Sequence, residues 1–225
     1  MAEINRGYLK PRKQSFPADE ATHHWLSMLL ESYYIVDKGI ADAIEKEIKS
    51  GRKLACAKGC SSCCKTHKDI PVYPLELAGI SWYVTEKISG PEREVIKRQL
   101  KIYKEGDPCP FLVDGSCSVH PMRPISCRQF IVFGKFCDEG EDPYYTRRED
   151  VMSPVKKHVD KSFFIMLPFY GVEKRAERLK LIKSGAVHKL VKLMQTCNWK
   201  SLSDKMDDFD RKGIFRVNKQ TLNSH

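Results

Sequence analysis

Cys56, Cys60, Cys63 and Cys64 crowd four thiols into nine residues, and four more follow at Cys109, Cys117, Cys127 and Cys137. Ionised, a thiol is a soft and strong ligand for zinc and for the iron of iron–sulfur clusters. The two-residue gap between Cys60 and Cys63 lets a tight turn aim both sulfurs at one centre. Gly59 permits the backbone that brings amide N–H groups toward sulfur. All eight cysteines are therefore read as metal ligands, in two four-ligand sites or in one site with spare thiols. Cys197 stands well apart and is expected to be a spectator.

A disulfide framework is the competing use of so many cysteines. Disulfides persist in oxidising compartments, and the basic, proline-containing residues 1–17 lack the apolar run of an export signal. A chain of 225 residues can also bury a core without covalent staples. The expectation is a cytoplasmic protein whose thiols hold metal.

The elements that must position these thiols can be read from the flanking pattern. Residues 1–17 read as a basic flexible arm. From Asp19, which could cap a helix, Trp25, Leu29, Tyr33, Val36, Ile40, Ile44 and Ile48 recur at steps of three and four, and Gly51 can end the run. Gly39 predicts a break into two helices. This helix delivers the chain into the first cysteine block. His23 and His24 at its start read as surface residues rather than ligands. Ile70-Pro71-Val72 reads as extended. Pro74 opens a helix with Leu77, Ile80, Val84 and Ile88 on one face, and Ser89-Gly90-Pro91 separates it from another carrying Val95, Ile96, Leu100 and Tyr103. These two are expected to pack as an antiparallel pair over the cluster.

In the second block, Asp114-Gly115 between short apolar runs predicts a β-hairpin that brings Cys109 and Cys117 together at its open side. Prolines stiffen the approach to Cys127, which Arg123 and Arg128 flank. Four thiolates on one zinc leave a net charge of about −2, so these guanidinium groups are expected to offset it from just outside the ligand set. After the acidic turn at 138–142, Val155, Val159, Phe163 and Met166 predict a helix closed by Pro168. Leu179, Ile182, Leu190 and Leu193 predict one or two more, broken at Ser184-Gly185. Cys197 is expected at a helix end. The resulting division is an arm at 1–17, a cysteine-cluster domain with its leading helix at 18–143, a helical region at 144–215 that can pack as part of the same domain, and a tail at 216–225. The expected fold class is mainly α with a small β-hairpin, centred on cysteine and metal.

Composition bounds the partners. Hydrophobic residues make up 41% and charged residues 30%, as in ordinary globular domains, and no apolar stretch approaches the ~18 residues of a membrane span. The formal charge of +10 invites an anionic partner, although bound thiolates would reduce it. The strip at 172–193 carries seven Lys or Arg against two Glu, but such a run more commonly forms a solvated helix face. A metal centre is thus the expected partner. A protein partner is compatible, a nucleic acid is not expected, and no membrane is.

Together, Cys56 with Cys60-x-x-Cys63-Cys64, Cys109-Pro-Phe-Leu, Asp114-Gly115-x-Cys117, Arg123-Pro124 and Cys127-Arg128-x-Phe130 resemble the YkgJ-type cysteine-cluster family over roughly residues 52–137. The family's first motif usually has two residues between its first cysteines, where this chain has three. Tyrosine is common where His120 stands, which makes His120 a packing substitute or an added ligand. The resemblance implies a zinc- or iron-chelating domain, and the family includes flagellin lysine N-methylases among its relatives.

Three functions follow as expectations. The first is a metal-binding, redox or metal-carrying protein. The second is an S-adenosylmethionine-dependent protein lysine methylase, and the third a structural zinc module binding nucleic acid or an acidic partner. No GxGxxG or P-loop pattern supports a nucleotide site. The spacing Cys56-x-x-x-Cys60-x-x-Cys63 is that of radical S-adenosylmethionine enzymes, but a helix precedes it and Cys64 adds a fourth thiol. Between metals, the single Cys-x-x-Cys knuckle and the crowded Cys63-Cys64 pair lean toward an iron–sulfur cluster over zinc.

Overall fold

A computed structural model of the chain describes residues 6–57 and 59–222, with side chains over 8–57 and 59–213. The elements run α1 (Arg6–Leu9), α2 (Pro17–Thr22), α3 (His24–Lys49), α4 (Ser62–Thr66), β1 (Pro71–Val72), α5 (Pro74–Glu86), α6 (Gly90–Ile102), β2 (Leu112–Val113), β3 (Ser116–Cys117), α7 (Ile125–Gln129), α8 (Pro143–Thr146), α9 (Lys156–Met166), α10 (Arg175–Lys183), β4 (Lys192–Leu193) and α11 (Trp199–Leu222). The fold is mainly helical with two small antiparallel pairs, β2–β3 and β1–β4.

The three–four apolar spacing becomes α3, which buries Leu26, Leu29, Leu30, Tyr33, Val36, Ile40 and Ile44. It runs unbroken through Gly39, against the expected division into two helices. The reason is packing: α9 crosses so closely that a Cβ on Gly39 would lie 2.7 Å from His158. Asp19 does not cap this helix either. It lies inside α2, where its carboxylate takes Lys87 Nζ at 2.6 Å, and the chain turns at His23 before α3 begins. Of the residues expected to form a free arm, 1–5 lie outside the described residues. Tyr8, Leu9 and Phe16 pack against the core, and the Phe16 ring meets Trp82 edge-on at 5.1 Å.

Pro74 opens α5 as expected, and the Glu76 carboxylate reaches back to accept the Tyr73 N–H at 2.9 Å. α5 and α6 do not form the expected simple pair, because α11 lies across both. Arg93 of α6 joins the three. Its Nη1 donates to the carbonyls of Val84, Thr85 and Ile88 at the end of α5, and its Nη2 pairs with Asp210 of α11 at 2.8 Å. Those carbonyls carry the negative end of the helix dipole, so a guanidinium is well placed there.

The Asp114-Gly115 turn forms as expected, with φ of 47° and 73° and Leu112 paired to Cys117. The second pair, Pro71 with Leu193 and Val72 with Lys192, replaces the helix expected at Leu193, and Cys197 stands at a helix end as expected, closing a short 3-10 helix at Met194–Thr196. Gly185, at φ of 71°, breaks the helical run as expected, between α10 and a 3-10 helix at Ala186–Leu190 that precedes this strand. One hydrophobic cluster extends from Leu26 to Met206 and includes residues on both sides of the 138–142 turn, with α9 packed along α3. No helix among the described residues is long and apolar enough to cross a membrane.

Candidate metal centre

Three separate stretches of backbone deliver the first block of thiols. Residues 53–56 pair with 131–134: Ala55 N–H donates to Val132 O at 2.8 Å, Gly134 N–H to Lys53 O at 2.8 Å, and Val132 N–H to the Cys56 sulfur at 3.3 Å. This pairing carries the strand leading to Cys137 past Cys56. The chain then turns at Gly59, at φ of 83°, leaving Cys60 exposed. Cys63 and Cys64 sit side by side in the single turn of α4.

The second block is stitched to the first through the main chain. Cys109 N–H donates to Cys64 O at 2.8 Å. The hairpin β2–β3 brings Cys117 back toward Cys109, and α7 supplies Cys127. The amides of Phe111 and Val119 point at the sulfurs of Cys109 and Cys117, each two residues on. A main-chain N–H aimed at sulfur in this way favours the thiolate form that a metal requires. Two buried contacts hold α7 in place. Glu76 Oε1 accepts the Ile125 N–H at 2.7 Å. Arg128, almost fully buried, donates to Asp37 at 2.8 Å, to Arg123 O at 2.9 Å and to Pro121 O at 2.5 Å, and it lies 3.9 Å over the Tyr33 ring.

The thiols perturb one another in two overlapping groups. Cys56 feels Cys60, Cys63 and Cys137, and Cys137 in turn feels Cys60 and Cys63. Cys64 feels Cys63, Cys109 and Cys117, while Cys127 feels Cys109, Cys63 and Cys117. Cys63 therefore lies within reach of both groups, and Cys64 of the second only. Burial pushes Cys56 and Cys109 each up to about 12, and it raises Cys117, Cys127 and Cys137 as well. Cys63 is the exception. A hydrogen bond from the Cys64 thiol and then the Arg123 guanidinium draw its pKa down, while the same bond drives Cys64 up.

The donor set fits a soft metal. Eight of the nine thiols are gathered in one region, and all nine cysteines are free. Three of the eight are packed against the hydrophobic core, where an aliphatic side chain would serve if packing were their only task. Among the described residues, no three His, Cys, Asp or Glu side chains stand in ligating geometry.

The two flanking arginines behave differently. Arg123 acts on Cys63, Cys117 and Cys127, and its Nε is buried without a hydrogen-bond partner. Arg128 gives its guanidinium mainly to Asp37, carbonyls and Tyr33, tying α7 to α3. No clustered thiol is among the groups that perturb Cys197, whose thiol lies on Leu193 O at 3.3 Å with Lys192 as its charged neighbour. His120 is exposed and no thiol perturbs it; desolvation and the two arginines hold it down at about 4.

Sequence reasoning missed three participants. Tyr8 from α1 reaches Arg123, Cys56 and Cys63. Arg147 lowers Cys137 while bonded to Glu141 and Asp150, each at 2.9 Å. Glu76 fastens the N-terminus of α7. No local pattern could have revealed them, since each lies far along the chain from what it contacts or is an ordinary polar residue. His67 also gathers attention, with Nδ1 3.5 Å from Asp142 and a buried, unpartnered Nε2, but no thiol is among the groups that perturb it.

Residues 55–157, which contain all eight clustered thiols, match the protein-family model CxxCxxCC, described as "Putative zinc- or iron-chelating domain". No curated protein and no solved structure matches the chain.

Proposed function

We propose, for a chain that carries a zinc- or iron-chelating cysteine-cluster domain over residues 55–157, that its thiolates hold two metal centres. Cys56, Cys60, Cys63 and Cys137 form one ligand set, and Cys64, Cys109, Cys117 and Cys127 form the other. One observation carries this reading: the main chain draws distant thiols together in two places, with Val132 N–H on the Cys56 sulfur along the segment that leads to Cys137, and Cys109 N–H on Cys64 O beside the hairpin that holds Cys117. All-sulfur sets select zinc or iron–sulfur clusters over hard cations. Bound zinc would brace the fold, whereas an iron–sulfur cluster would add electron transfer.

The protein's own residues do the rest. The amides of Val132, Phe111 and Val119 support thiolate charge on Cys56, Cys109 and Cys117. Arg123 supplies a positive charge near both sets. The hairpin and α7 hold Cys109, Cys117 and Cys127 against the core.

Purification under anaerobic conditions, followed by elemental analysis and a visible spectrum, tests the reading. Near-stoichiometric zinc without colour, or iron with sulfide and charge-transfer absorption, supports it and distinguishes the two metals. A chain without metal, whose clustered cysteines are paired as native disulfides, overturns it.

A further inference from the structure

We propose that the two thiol sets differ in lability: Cys64, Cys109, Cys117 and Cys127 form a retained structural centre, while Cys56, Cys60, Cys63 and Cys137 form an exchangeable centre opened through Cys60. The inference rests on the chelation reading above and adds a division of labour to it.

The asymmetry is geometric. Cys109, Cys117 and Cys127 pack against the hydrophobic cluster, and none of Cys56, Cys60, Cys63 and Cys137 does. Cys117 lies in the β2–β3 hairpin and Cys127 in α7, while Cys109 leads into the hairpin and is bonded through its main chain to Cys64 of α4. Those elements are locked by Cys109 N–H on Cys64 O, by Ile125 N–H on Glu76 and by the Arg128–Asp37 pair. Releasing Cys109, Cys117 or Cys127 therefore disturbs side chains of the core.

Two of the outer thiols, Cys60 and Cys137, hang on irregular chain. Cys60 follows the Gly59 turn and is exposed. Cys137 lies in the 134–142 segment between Gly134 and Gly140, both at positive φ, and the Phe136 side chain before it is 63% exposed. Local opening costs least where backbone is irregular and few apolar contacts hold it. An incoming thiolate acceptor can replace the Cys60 sulfur, which leaves as a thiolate or takes a proton from water. No electron changes hands in that exchange, so zinc can enter or leave with the fold intact.

The test uses the full-length chain reconstituted with zinc ions alone. Release to a chromophoric chelator should show two phases of one ion each, differing in rate by at least about tenfold, the ratio set by ~1.4 kcal/mol of extra opening free energy. Cys60→Ser should remove the fast phase and leave the slow ion in place. Cys117→Ser should remove the slow ion and lower the melting temperature. Because the latter variant can fail to fold, alkylation of the zinc-loaded wild type supplies a second measurement. Iodoacetamide should modify Cys60 and Cys137 well before Cys109, Cys117 and Cys127, with Cys197 as an internal reference for a metal-free thiol.

Two ions leaving at a single rate, or an alkylation order with the inner thiols first, overturns the division of labour while leaving chelation standing. One ion per chain with all eight thiols protected overturns the two-centre arrangement. Failure to bind any zinc overturns the chelation reading itself.

Discussion

The main-chain amide of Cys109 donates to the carbonyl of Cys64 at 2.8 Å, joining two cysteine blocks that lie far apart along the chain. The bond places the hairpin directly beside α4, and Cys109 and Cys117 both raise the Cys64 thiol. Its neighbour Cys63 is felt by thiols of both groups. Two adjacent residues thus stand at the junction of the site, and the variants that distinguish them are informative.

Cys64→Ala is expected to remove one centre's worth of metal and to lower the melting temperature, because ligation at such sites is coupled to folding. Elemental analysis and a thermal melt of the same sample check both. Full metal loading in the variant, with cleavage of S-adenosylmethionine by the reduced wild type, would instead favour a three-cysteine radical centre.

The two arginines near Cys127 should separate cleanly. Arg128→Gln breaks the buried pair with Asp37 and strands that carboxylate, a loss of about 3 kcal/mol in unfolding free energy. Arg123→Gln should leave the fold near wild-type stability, raise the Cys63 pKa and weaken metal retention against a chelator by about 10-fold or more. Urea melts and chelator competition on both variants measure the difference. Equal effects of the two changes would refute this division.

Glu76 makes stability depend on pH in an unusual direction. Burial raises its carboxyl to about 7, against about 4.3 for a free glutamate. Between those values the folded chain keeps a proton that the unfolded chain has lost. This contribution is therefore complete below pH 4, falls as pH rises through the window, and is gone above pH 7, a change of about 3 kcal/mol at most. Glu76→Gln cannot titrate, and its NH₂ group would face one of the two amides the carboxylate accepts, from Tyr73 and Ile125. The variant should be less stable than wild type, with the gap narrowing from pH 4.5 to 7 in paired urea melts. A gap that widens with pH would contradict the sign.

Cys197→Ser should leave metal content and release kinetics unchanged. Its thiol lies on Leu193 O, and no clustered thiol is among the groups that perturb it. Loss of metal from a folded variant would mean that the chain before α11 completes a centre.

Much of this protein was determined by its sequence alone. Thiols at close spacing point to soft-metal chemistry from residue type alone, and residues 55–157 match the model of a zinc- or iron-chelating domain. The Asp114-Gly115 turn and the apolar face of α3 were legible because both depend on residues within a few positions of one another. Tertiary structure decided the rest, since contacts between distant segments leave no local period. Gly39 reads as a helix breaker until His158 of α9 is seen to need the space its missing Cβ leaves. Arg123 and Arg128 look equivalent beside Cys127. Only the packing of α7 on α3 commits Arg128 to Asp37 and leaves Arg123 among the thiols, because a buried guanidinium is held by whichever carboxylate and carbonyls the fold brings to it.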